Sequence, residues 1–387
     1  MPAQPSDAAE RARVDEIRAD FARFARDYAN LPLYRAICLG LADDSEAAAL
    51  LLDAQPGQAR PVLLLAALHD LVLRRPDLPA ARWYASVVGP EGVASGDPWP
   101  DVRATIRANR DDLRRTIATR RTQTNEVNRA VYVAVGLALA SRDVPSRPAL
   151  LVELGASAGL LLAVDRYRVE LHRRGVALVV GDPASPVVCH GEDRSPGPLP
   201  DLALPRIIGR VGLDLAPVDL GDETAVRWLE ACLWPDVPGR VERFRAALAM
   251  VRADPPTLRA GDMVDDLAAT VEQALARTGS SDGSAGHLLV FSSWALTYVR
   301  RERRAELAAR LAQVAGSFAA VSWVTAEPLG CVPGLPVPKA GALAADSTVL
   351  GARRWRHGRE VPAEVWGTCH PHGEWIALGR AALGGIR

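Results

Sequence analysis

The chain has 387 residues, 49% hydrophobic and 24% charged, and its 46 basic residues are balanced by 46 acidic ones. That length suits two or three domains, the composition is that of a folded globular protein rather than a disordered one, and zero net charge gives no support for nucleic acid as a main partner. The charged N-terminus lacks an apolar signal-peptide core, no apolar run reaches the ~18 residues of a membrane span, and the five cysteines form no CxxC pair; a cytoplasmic protein without a membrane partner, a disulfide framework or a zinc ribbon is expected.

In chain order, residues 7–29 predict an amphipathic helix. Asp7 and Glu10 form a capping-box pattern, and Val14, Ile17, Phe21, Phe24 and Tyr28 recur at spacings of three and four. Two short helices are expected at 33–42 and 44–54. A buried helix follows at 61–74, opened by Pro61 and apolar almost all round. A Pro- and Gly-rich loop covers 86–100, and helices return at 101–121 and 125–141. Residues 1–145 are therefore expected to form an all-helical domain acting as a lid.

The texture then changes. The apolar run 148–154 leads into Gly155-Ala156-Ser157-Ala158-Gly159, and helical spacing follows over 160–175. Strand, glycine turn and helix in that order open a nucleotide-binding α/β unit. Further strands are expected at 177–180, 210–215, 288–292, 320–325, 366–370 and 375–378, and helices at 222–233, 238–252, 264–277 and 301–315. Alternating strands and helices predict a mostly parallel sheet covered on both faces. The fold class expected over 146–387 is α/β, a doubly wound, methyltransferase-like (Rossmann-type) sheet, with an irregular insertion near 181–206.

Five groups of residues can carry chemistry. A glycine turn leaving a strand gathers backbone N–H groups at one point, and Glu153-Leu154-Gly155-Ala156-Ser157-Ala158-Gly159 keeps the acid and outer glycines of the methyltransferase pattern E-x-G-x-G-x-G with Ser157 in the middle. Asp214 stands where a carboxylate holds a ribose diol, and Asp262 where an acid meets an adenine edge or merely caps a helix. Gln123, Asn125, Glu126 and Arg129 pack polar groups ahead of an apolar helix, with Asn125 and Arg129 sharing one of its faces. Ser292, Ser293, Trp294 and Tyr298 follow an apolar strand, where open α/β sheets bind ligands. His370 and His372 face one side of a strand and suit anion binding or proton transfer. With no third ligand beside them, no metal is expected.

The stretches QTNEVNR, ELGASAGL, RVGLDLAPVDL, WPDVPGRVERFRAAL and CHPHGEW, in this order, resemble an actinobacterial family of largely uncharacterised proteins. The resemblance covers most of residues 10–380. It implies the S-adenosylmethionine methyltransferase fold. Some relatives act in pathways to aziridine-containing natural products, and the chain is similar to the aziridine-forming member from azinomycin biosynthesis. That implies ring closure by intramolecular amine attack with loss of sulfate. A partner sulfotransferase would install the sulfate, and an amino-group carrier protein would hold the substrate. Two positions depart from the family: Leu160 stands where Asn is frequent, and Ser292-Ser293 where His-Ser is frequent.

Three functions remain open at this point. A cofactor-independent cyclase would use Glu126 or Asp214 as base and Arg129, Arg166 or His370 to receive sulfate. An S-adenosylmethionine-dependent methyltransferase would hold its cofactor with Glu153, Gly155, Ser157, Gly159, Asp214 and Asp262. A non-catalytic binding protein would use the same fold without chemistry.

Overall fold

The computed structural model describes residues 5–144, 147–277, 286–336 and 347–383. The chain divides into two compact units, residues 1–125 with 220–244, and residues 126–219 with 245–387. The junction expected at 145 and 146 lies outside the described residues. The division falls instead at Asn125, and a second excursion brings residues 220–244 into the first unit.

The described part of the first unit is helical: α1 (Pro5–Asp27), α2 (Pro32–Asp43), α3 (Ser45–Ala48), α4 (Pro61–Arg74), α5 (Ala85–Val88), α6 (Trp99–Ala108) and α7 (Arg110–Thr119). After α8 (Ala130–Ser141), which lies in the second unit, α9 (Glu223–Ala231) completes it, and α10 (Arg240–Ala253) crosses the division. The segment 86–100, expected as loop, includes most of α5 and a short 3-10 turn. Helix α4 is buried from Leu63 to Val72, in a core with Phe21, Ile37 and Trp228. Its polar residues are satisfied: His69 Nε2 meets Ser86 Oγ at 2.7 Å and Nδ1 meets the Ala231 carbonyl at 3.1 Å. Asp236 caps α2 from far along the chain, accepting from Leu33 N at 3.0 Å and Tyr34 N at 2.9 Å, which satisfies amides that no neighbouring side chain reaches.

The second unit is α/β, built on an 11-stranded, mostly parallel sheet. Its strands are β1 (Ala149–Leu154), β2 (Arg168–Arg173), β3 (Val176–Gly181), β4 (Val188–Asp193), β5 (Ile207–Asp214), β6 (Thr257–Ala260), β7 (His287–Ser293), β8 (Ala320–Pro328), β9 (Thr348–Arg356), β10 (Arg359–Cys369) and β11 (Trp375–Leu378). They lie in the order β3-β2-β4-β11-β10-β9-β8-β7-β1-β5-β6. Helices α11 (Leu267–Arg277) and α12 (Arg301–Val314) pack Leu267, Val271, Leu307 and Leu311 against Val152, Val290 and Trp323. The alternate strand residues point to the other face, where α8 lies, buried along all twelve residues. Gly136 of α8 leaves the space taken by Val324; a Cβ there would stand 2.6 Å from Val324 Cγ1. A short helix, α13 (Arg380–Leu383), follows β11.

Two sequence expectations are corrected. The helix expected over 160–175 is a 3-10 turn at Leu160–Arg166 followed by the hairpin β2–β3. Val169, Glu170 and Leu171 are buried and His172 is exposed, and Arg174 and Gly175 both take positive φ (49° and 80°), the two-residue turn whose twist matches paired strands. The segment 181–206 is not wholly irregular, because β4 pairs in parallel with β2 and β11. Its inward positions are Cys189, Gly191 and Asp193, so no apolar alternation marks it. Strands β2, β6 and β9 also went unread.

Candidate functional site

Strands β6, β5, β1, β7 and β8 run parallel. In the order of the sheet, β5 and β6 lie on one side of β1, and the later strands β7 and β8 lie on the other. Such a reversal opens a crevice outside the carboxyl ends of the two central strands. Glu153 and the glycine turn end β1, Asp214 ends β5, Ser292 and Ser293 end β7, and Glu327 stands near the end of β8.

The glycine turn has left-handed backbone at Gly155, Ser157 and Gly159, with φ of 77°, 49° and 69°. The space beside the glycines is filled by protein. A Cβ on Gly155 would stand 2.8 Å from Ala295 Cβ, and one on Gly159 would stand 2.9 Å from Leu258 Cδ2. Asp214 fastens the turn, accepting from Ser157 N at 2.8 Å through Oδ2 and from Ala216 N at 2.9 Å through Oδ1.

Glu153 is 5% exposed. Its Oε2 has no hydrogen-bond partner among the described residues. Burial, and secondarily the charge of Asp214, hold its carboxyl well above the ordinary range, while Arg129 pulls the other way. A buried carboxyl between an acid and a guanidinium is the setting in which proton-transfer groups are tuned.

Arg129 enters from the segment before α8. Its Nε donates to Pro371 O at 3.2 Å and its Nη1 to Ser293 O at 3.2 Å. Tyr132, one turn on, shares a 2.7 Å hydrogen bond with Ser293 Oγ and donates to Pro371 O at 3.3 Å. Glu126 caps this segment by accepting from Asn128 N at 3.0 Å. Asn128 clamps β4, accepting from His190 N at 3.0 Å and donating to His190 O at 2.9 Å, and it also donates to Gly373 O at 3.1 Å. His370 Nδ1 accepts from His372 N at 3.2 Å, closing the turn between β10 and β11.

Glu327 is fully buried and accepts the N–H groups of Ala295 at 3.1 Å and Leu296 at 3.3 Å. Burial pushes its carboxyl up to about 7, against the backbone N–H groups, the Ser292 hydroxyl and Arg129. Trp294 sits at φ 58° and donates through Nε1 to Thr348 Oγ1 at 2.8 Å.

The structure brings Glu126, Arg129, Glu153, Ser157, Asp214, Ser292, Ser293, His370 and His372 into the network of strand ends and turns just described. Gln123 and Asn125 fall within the first unit. The Arg166 guanidinium pairs with Asp254. Tyr298 is 85% exposed. Asp262 accepts from Val264 N at 2.8 Å and pairs with Arg303 at 3.2 Å, the turn-capping role weighed for it. Sequence reasoning missed Glu327 and Tyr132; an acid closing the apolar strand Ala320–Pro328 was the available signal for the first. A cavity of about 510 Å³ lies within the first unit, lined by Trp83, Ser86, Pro235 and Asp236 among others, and it holds none of the strand-end residues.

A search of the curated proteins found no match to the chain. The model of the family described as "Uncharacterized protein conserved in bacteria (DUF2332)" matches residues 18–377. That span takes in every strand-end residue above, and on it the chain belongs to the DUF2332 family of bacterial proteins.

Proposed function

We propose that the chain is a biosynthetic enzyme that closes an aziridine by intramolecular amine attack with loss of sulfate. In this reaction the amine lone pair forms a C–N bond to the neighbouring carbon as the C–O bond of the sulfate ester breaks. Sulfate leaves with the electron pair, and the amine proton passes to a base. The observation that carries the reading is the buried carboxyl of Glu153 at the end of β1, whose Oε2 has no hydrogen-bond partner among the described residues.

Each residue suits one requirement of the step. A carboxyl raised by burial is a stronger base once ionised, and so better matched to an ammonium proton. Asp214 already holds two backbone N–H groups, and Glu126 caps its own segment, which moves the base assignment to Glu153. Arg129 is anchored through Nε and Nη1, and its Nη2 makes no hydrogen bond to a described residue. It supplies a preorganised cation for the departing sulfate. A carrier-bound substrate sulfated by a separate sulfotransferase completes the proposal.

The methyltransferase reading is the alternative. The strand order β6-β5-β1-β7-β8 and the glycine turn favour it and support the expected doubly wound, methyltransferase-like fold. Against its cofactor, the close approaches at Gly155 and Gly159 are taken by Ala295, Leu258 and Pro256, where a ligand would need the glycines bare.

The deciding experiment incubates purified protein with a carrier-bound vicinal amino sulfate ester and measures sulfate release, alongside calorimetric titration with S-adenosylmethionine. Sulfate release that disappears in Glu153→Gln supports the cyclase. Saturable cofactor binding with no sulfate release overturns it.

A further inference from the structure

Strands β2 and β4 carry a second cluster of ionisable side chains that the strand-end site does not use. Glu170 and His172 stand two residues apart on β2 and so share a face. His190 is the register partner of Glu170 on β4. This spacing converges three side chains over one patch of sheet. Glu170 Oε2 lies 3.2 Å from His172 Nε2 and 3.2 Å from His190 Nδ1, and the two ring nitrogens are 3.4 Å apart.

We propose that Glu170, His172 and His190 form a binding site for a divalent transition metal of the zinc class. Zinc bound at ~2.0–2.1 Å puts neighbouring tetrahedral ligand atoms about 3.3 Å apart, and the observed triangle has edges of that length. Two imidazoles and a carboxylate are a donor set that zinc accepts, with water at the open fourth position. The two histidine side chains are about half exposed, at 48% and 54%, so an ion can enter, while Glu170 is 12% exposed and anchored. Arg168 Nε lies 2.6 Å from Glu170 Oε1. It turns the other oxygen to the rings, and its charge weakens the site relative to a four-ligand structural zinc centre. Asn128 fixes the His190 backbone through both N–H and carbonyl, a support of the kind that orients metal ligands. Because the ligands come from two strands, the ion cross-links them.

The test uses the full chain, freed of metal and titrated with Zn²⁺ by calorimetry. One equivalent should bind with micromolar or tighter affinity and raise the melting temperature. Affinity should fall by more than about tenfold in His172→Ala and in His190→Ala, and should persist in His372→Ala, which removes a histidine outside the cluster. Both substituted histidines are exposed, and circular dichroism of the variants verifies the fold. With Co²⁺ as probe, wild type should give four-coordinate bands without thiolate charge transfer. Absent stoichiometric binding, binding that survives both substitutions, or a thiolate signature would each overturn the assignment.

Discussion

Asp214 accepts the backbone N–H of Ser157 at 2.8 Å, so the acid ending β5 holds the glycine turn ending β1. The same carboxylate takes Ala216 N at 2.9 Å. It is thus a clamp between two loops, and it fixes the Ser157 backbone in its left-handed conformation. Asp214→Ala strands both donors. The expected loss is ~1–3 kcal/mol, read as a lower denaturant midpoint at unchanged slope. Asp214→Asn keeps one acceptor and should lose less. Equal stability of all three proteins would show that the clamp contributes nothing.

Gly155 faces Ala295, and a Cβ there would stand 2.8 Å from the alanine's own. Gly155→Ala should cost ~2–4 kcal/mol, from overpacking together with the left-handed φ of 77°. Adding Ala295→Gly removes the overlap but not the φ cost, so the double variant should recover about half of the loss. Should Gly155→Ala instead keep its stability and lose activity alone, the glycine would be serving a ligand rather than packing.

Parts of this arrangement were legible in the sequence because one signal dominated. Pro61 and the run VLLLAALHDLVL after it, apolar but for His69 and Asp70, mark α4 at its observed bounds, Pro61–Arg74. Asp214 follows an apolar strand, so its place at a strand end could be read. The stretch after Gly159 misled because apolar residues in LLLAVDRY fit a helix, while the hairpin beyond is set by positive φ at Arg174, which is unusual for a residue with a Cβ. Strand β4 carries Gly and Asp inward, so periodicity could not find it. Arg129 was singled out, but its partners are the carbonyls of Ser293 and Pro371. Every residue has a carbonyl, so composition does not mark which ones converge. The Glu170–His172–His190 cluster depends on the β2–β4 register, which local sequence does not encode.

Arg129 binds two carbonyls from separate segments and lowers the carboxyls of Glu153 and Glu327. Arg129→Met should cost ~2–4 kcal/mol, since two charge-assisted hydrogen bonds are lost. Lysine restores the charge but cannot span both carbonyls with a planar fork. Arg129→Lys should therefore lie between wild type and Arg129→Met in stability, and under the proposed reaction it should release sulfate more slowly than wild type. Wild-type behaviour of the lysine variant in both assays would contradict the bridging role.

Glu327 and His287 give stability opposite dependences on pH. Burial holds Glu327 protonated up to about 7, against an ordinary 4.5. Between those values the folded chain keeps a proton that the unfolded chain has lost, so stability falls as pH rises, by ~1.4 kcal/mol per pH unit at most. His287, buried beside Ser322 Oγ at 2.9 Å, is lowered to about 3 from 6.5, first by burial and then by Arg356 and other arginines. Between those values the unfolded chain holds the extra proton, so stability rises with pH at a similar slope. The two slopes oppose each other from about 4.5 to about 6.5. Glu153, also raised, adds to the falling side. Glu327→Gln keeps an acceptor oxygen for Ala295 and Leu296 and removes the titration, so the slope of its stability against pH should be more positive than that of wild type. His287→Gln should do the reverse and make the slope more negative. Denaturation midpoints of the three proteins at several pH values from 4.5 to 7 measure both slopes, and parallel curves would show that neither group titrates as its burial requires.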